Sequence, residues 1–159
     1  MPSPSIGIRI VHAGNNSLLG HMYVVLNDGN GSITSYGFYP NRPFPDGVIG
    51  GPGRVRPDFD MDQHELVPSP PAANMGAPNV KYDIPLTNQQ YDAAKLYAED
   101  AVGQAANPFA DWGTYRPFKN SCIDFTWSMM KEAGLNPVGQ EGAIRPISNT
   151  PIVDKAFYD

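Results

Sequence analysis

The chain contains one cysteine, Cys122, and three histidines, His12, His21 and His64. Cys122 falls in the first turn of a helix predicted from about Ser121 to Ala133, directly after Asn120-Ser121, either of which can serve as N-cap. At such a position the helix dipole and the unsatisfied N–H groups favour a thiolate over a thiol. The same N–H groups can hold the oxyanion that forms when a thiolate attacks a carbonyl. The alternative is a small buried hydrophobe, since free cysteine is among the most buried residue types. A nucleophilic thiolate also needs an imidazole, to form the ion pair and to protonate the leaving group. His12 lies in register with a buried isoleucine face and reads as a strand-end residue. His64 lies in a Pro/Gly-rich region and reads as solvated. His21 starts an apolar strand and follows Gly20, which permits close approach of another element.

A third residue comes from hairpin arithmetic. If the loop 27–31 sets Leu26 opposite Ser32, then Tyr23 faces Ser35 and His21 faces Gly37. His21, Tyr23, Val25, Ile33 and Ser35 then share one sheet face, with Ser35 diagonal to His21 and able to orient its ring. An ordinary strand serine is the competing reading. No two histidines stand at i, i+4. Asp58, Asp60 and Asp62 alternate in a Pro-bounded stretch without the glycine and distal glutamate of a calcium loop, and read as solvated loop charge. No metal and no cofactor are expected. Trp112, Tyr115, Phe118 and Trp127 are either core or the wall of a groove beside the cysteine.

The elements that must position these residues are legible in outline. Residues 6–12 alternate, with Ile6, Ile8 and Ile10 on one face. Residues 21–26 and 32–39 flank Asn27-Asp-Gly-Asn-Gly31, a strong hairpin signal. Residues 40–79 are dense in Pro and Gly, with short strands possible at 53–56 and 64–67, and 81–86 forms a further strand with Tyr82 and Ile84 inward. Thr87 with Gln90 three residues on is a capping box that opens a helix ending near Gly103. An aromatic loop over 107–119 precedes the cysteine helix, which Gly134 closes.

Composition removes several function classes. The 159 residues carry 11 Lys+Arg against 16 Asp+Glu, a net charge of −5, with no basic cluster to mark a nucleic-acid footprint. No apolar run approaches the roughly 20 residues that cross a bilayer. The start, Met1-Pro-Ser-Pro-Ser5, lacks the basic and apolar regions of a signal peptide. One cysteine excludes an internal disulfide. Length and the lack of repeats predict a single domain over 1–159.

Gly20-His21-Met-Tyr-Val-Val-Leu26, then Ser35-Tyr-Gly-Phe-Tyr-Pro40, then Asn120-Ser-Cys122-Ile-Asp-Phe125 at a helix start, together resemble circularly permuted papain-like hydrolases of the NlpC type. The helix start at Pro85-Leu-Thr-Asn-Gln-Gln-Tyr91 fits the same pattern, and the resemblance spans about residues 20–135. In ordinary papain-like enzymes the cysteine precedes the histidine, whereas here the order is reversed, as in the permuted branch. That branch includes type VI secretion effectors that attack cell-wall peptides and the lecithin:retinol acyltransferase group. The resemblance implies an α+β fold with an antiparallel sheet packed against the nucleophile-bearing helix. It implies Cys122 as nucleophile, His21 as base and Ser35 as the nearest match for the orienting residue. Serine departs from the His, Asn, Gln or acid more usual there. The activity implied is cleavage of amide bonds in peptidoglycan stem peptides, in the periplasm of a target bacterium. A cognate immunity protein and a secretion-system carrier are the partners implied. A lipid acyltransferase or lipase, or a non-catalytic binding module, are the alternatives on the same scaffold.

Overall fold

The computed structural model describes residues 2–11, 20–41, 51–65, 78, 80–116, 120–135 and 149, with the side chains of residues 63 and 64 outside that set. His12, Phe118, the His64 side chain and most of the 40–79 connection therefore lie outside the described residues. The fold is α+β. Six antiparallel strands run in the order β5-β1-β2-β3-β4-β6. They are β1 (Ser5–Val11), β2 (His21–Asn27), β3 (Ile33–Pro40), β4 (Gly51–Pro57), β5 (Val80–Pro85) and the short β6 (Thr114–Tyr115). Two helices follow β5, α1 (Asn88–Val102) and α2 (Cys122–Glu132), while a single π-helical turn, Met61–Glu65, follows β4.

Alternation along each strand decides which layer a residue joins. Ile6, Val24, Leu26, Tyr36, Phe38 and Val55 turn to one face and form a core with Ala94, Ala98 and Ala101 of α1 and Phe125 and Met129 of α2. Three alanines along α1 leave no bulk between helix and sheet, which lets the helix lie close. Ile8, Ile10 and Met22 extend the same face around Cys122, Ile123, Trp127 and Met130. The opposite face carries Val11, Tyr23 and Val25 and is covered by Met61 of the π turn. Strand β2 is consequently buried on both sides from His21 to Leu26.

Thr87 and Gln90 form the reciprocal capping box expected at the start of α1, and Gly103 is its C-cap. Helix α2 starts from Ser121 in the same manner, its N3 partner being Asp124, and Gly134 follows its end at φ 76°. Two expectations change. The hairpin pairs Asn27 with Ile33 and Leu26 with Thr34, two residues away from the predicted register. The cause is local. Asp28 accepts the N–H groups of both Asn30 and Ser32, and Asp28 N–H donates to the Ser32 carbonyl, so the loop closes over residues 28–32. A shift of two preserves parity, so each side chain keeps its predicted face. Second, residues 61–65 are π-helical rather than part of a strand over 64–67.

Phe38 joins strand, helix and aromatic loop. Its ring centroid lies 5.2 Å from both Trp112 and Tyr115 and 6.4 Å from Phe125. Phe38→Ala is expected to cost about 3–5 kcal/mol, measured by urea unfolding. A cost under about 1 kcal/mol would mean that this aromatic cluster is not the core's centre.

Candidate functional site

The site forms where the start of β2 meets the start of α2. Cys122 is the first residue of α2, 4% exposed, with its helix fixed by the Ser121 cap. Ser121 accepts from Ile123 N–H, and its own N–H donates to the Asp124 carboxylate at 2.7 Å. The helix dipole therefore points its positive end at the sulfur. His21 is 6% exposed, and its ring lies near enough to the Cys122 sulfur for that group to raise the histidine pKa. Sequence positions a hundred residues apart are thus brought into contact.

On its other side the imidazole meets a carboxylate. His21 Nε2 lies 3.1 Å from Asp60 Oδ1, and Asp60 is fully buried. The Tyr39 hydroxyl donates to the same oxygen, and the Tyr39 ring lies 4.5 Å from the imidazole, centroid to centroid. Burial by itself lowers the histidine pKa. The negative charges of Asp60 and of the Cys122 sulfur outweigh it, with hydrogen bonds to both adding to their effect, and the net result pushes His21 up to about 10. At neutral pH the ring is an imidazolium with Nε2–H donating to the carboxylate. Tyr39 is pushed up by burial and then by Asp60, so it stays a neutral donor.

Asp60 is not solvated loop charge, as its sequence context suggests, but a buried acceptor delivered by an anchored segment. Asp58 accepts Ser35 N–H at 3.2 Å, and Asp58 N–H returns to the Ser35 carbonyl at 2.9 Å. Ser35 Oγ accepts Met61 N–H at 3.1 Å. Farther along, Glu65 pairs with Arg9 at 2.5 Å and with Lys81 at 3.4 Å, while Arg9 also holds Asp83 at 2.9 Å. Ser35 is therefore fully buried beneath the turn that carries Asp60, bound to the backbone on both sides of it. The carboxylate that meets the ring is Asp60. Pro57-Asp58 is a strand stop followed by a turn-initiating carboxylate, a signal for the turn but not for the sheet face that it covers.

Gly37 makes room for this arrangement. A Cβ there would run into Asp60 Oδ2 and approach His21 Nε2 to 3.1 Å. Tyr115 also lies near Cys122. Burial and then the charge of Cys122 push its pKa up, leaving the phenol protonated. Trp127 is core, its indole N–H donating to Asn149 at 2.9 Å. Among the described residues no cluster of His, Cys, Asp and Glu is arranged to hold a metal ion. No helix among them is long and apolar enough to cross a membrane. Compared with known proteins, the chain matches no family model, no curated protein and no solved structure.

The raised His21 pKa makes stability depend on pH. Because the folded state binds the proton more tightly than the unfolded chain, the stabilisation is complete below about pH 6.5. It falls as pH rises from there through about 10. Urea unfolding across this window is expected to show that decline in the wild type, and a much weaker one in Asp60→Asn. Equal slopes would mean that the carboxylate does not hold the proton. Gly37→Ala is expected to fold yet to lose the same pH dependence, because its methyl displaces Asp60.

Proposed function

We propose that this chain is a papain-like cysteine hydrolase of the permuted kind, cleaving amide bonds in peptidoglycan stem peptides as an antibacterial effector. One observation carries the reading. A buried imidazole is paired with a carboxylate and lies close to a cysteine at a helix N-terminus. That is the arrangement a thiolate nucleophile needs, with charge, orientation and dipole acting in the same direction. The strand-borne histidine preceding the helix-borne cysteine in sequence supports the permuted order, and the antiparallel sheet against α2 supports the architecture.

In this reading the Cys122 thiolate attacks the scissile carbonyl carbon and pushes its π electrons onto the oxygen. The Cys122 N–H at the helix start, with the nearby Tyr115 O–H, supplies the donors for that oxyanion in this reading. Collapse of the tetrahedral intermediate expels the amine, which takes its proton from the His21 imidazolium. The acyl-enzyme is then attacked by water as the neutral imidazole removes a proton, releasing the acid and restoring the ion pair. Asp60 and Tyr39 hold the ring in one orientation through both steps. Ser35 acts one layer farther out, as a positioning residue for the turn that bears Asp60. The partner such an effector requires is an immunity protein that covers the cleft in the producing cell.

Two experiments test the proposal. Purified protein is expected to release muropeptides from sacculi and to leave phospholipid vesicles intact, whereas vesicle hydrolysis would favour lipid acyl chemistry on the same residues. Cys122→Ala and His21→Ala are expected to abolish release, and Asp60→Asn to lower kcat/KM by about a hundredfold or more. Iodoacetamide should alkylate Cys122 well below pH 8 in the wild type but not in His21→Ala. Full activity in Cys122→Ala would end the hydrolase reading.

A further inference from the structure

Next to the His21–Asp60 pair, the same sheet face carries two arginines with no ion pair to a carboxylate among the described residues, Asp60 acting on Arg56 only through its charge. Arg56 stands opposite Gly37 and Arg54 opposite Tyr39 in the β3–β4 ladder, while Val55 between them turns into the core. The Arg56 guanidinium lies 4.5 Å from the Phe59 ring centroid and 5.4 Å from that of Tyr39, the residue whose hydroxyl holds Asp60. Its Nε is buried and makes no hydrogen bond among the described residues. Two rings thus fix a guanidinium whose buried Nε–H is unspent among the described residues, a desolvation cost that the ring contacts only partly offset.

The arginines line a cleft of about 380 Å³ with Pro57, Asp58, Phe59 and Asp62. Neither aspartate takes up the arginines. Asp58 spends a carboxylate oxygen on Ser35 N–H, and Asp62 is exposed to solvent. Burial, and then the like charge of Arg54, lower the Arg56 pKa against smaller raising effects of Tyr39 and Asp60, so an incoming anion would offset the repulsion between the two arginines. Strand β6 pairs only with Gly51 and Pro52, so the outer edge of β4 from Arg54 to Pro57 has no partner strand among the described residues. An extended peptide can lie along that edge.

We propose that Arg56, assisted by Arg54, is a subsite for a side-chain or terminal carboxylate of an acidic peptide, held beside the His21–Asp60 pair. A planar guanidinium with open donors suits a carboxylate, which accepts two parallel hydrogen bonds. This specifies the substrate of the proposed hydrolase as anionic near the scissile bond, and it rests on that reading for its use. Its test needs no turnover, so failure of one does not imply failure of the other.

The probes are acetyl-Ala-Glu-amide and acetyl-Ala-Gln-amide, which differ only in a carboxylate. Binding to Cys122→Ala protein is followed by 15N–1H NMR at the Arg56 Nε–H and in the backbone amides of β4. The glutamyl peptide is expected to bind about tenfold more tightly than the glutaminyl one, to shift the Arg56 Nε–H, and to lose the preference in Arg56→Gln. Arg54→Gln is expected to reduce it partly. Equal binding of the two peptides, no binding by either, or a preference that survives Arg56→Gln would each overturn the proposal. Should Arg56→Gln fail to fold, the two-peptide comparison and Arg54→Gln still decide it.

Discussion

The contact on which the site depends is a buried ionic one, the Asp60 carboxylate against the His21 imidazole. A carboxylate with no exposed surface is expensive to desolvate, and it persists only if hydrogen-bonded and matched by positive charge. Here both conditions are met, by Tyr39 O–H and by a ring whose proton affinity is raised in return. The charge that the histidine then carries is what a thiolate at Cys122 needs opposite it. In the proposed chemistry, carboxylate, ring and sulfur alternate in charge, and the positive end of the α2 dipole favours the negative sulfur.

The fold can be understood as the means of holding that line. The helices cover one face of the sheet and bring Cys122 to the end of β2. The turn over residues 58–65 covers the other face and brings Asp60 down to the same place. Its backbone is secured by Ser35, and Glu65 at its far end is secured by Arg9 and Lys81. Removing one member of such a buried group leaves the others with unpaired charge, which costs more than the lost contact alone. The face that the turn covers, where Arg9, His21, Ser35 and Asp60 are buried, is therefore the polar side of the molecule's interior, opposite a core of aliphatic and aromatic residues.

Much of this was legible in the sequence because it rested on short-range signals. The Thr87–Gln90 box, the cap before Cys122, the closing Gly134 and the alternation in β1 and β2 depend on residues within a turn or a strand of each other. An apolar strand preceded by glycine sets His21 apart from His12 and His64. What was not legible rested on distance. Asp60 looked like one of three solvated aspartates, since nothing local distinguishes a carboxylate that a tertiary turn carries into the interior. Ser35 was assigned to the correct face, but its hydroxyl is committed to the turn's backbone. The hairpin register differs by two residues from the expected one because Asn27 belongs to β2 and Asp28 captures the N–H groups that close the loop.

The most direct test is the protonation of His21 itself, read from its ring 15N shifts in protein labelled at histidine. Because its pKa is pushed up to about 10, the ring is expected to be doubly protonated at pH 8 in the wild type and to become neutral at that pH in Asp60→Asn. A neutral His21 ring at pH 8 in the wild type would contradict the ion pair on which the proposed chemistry depends.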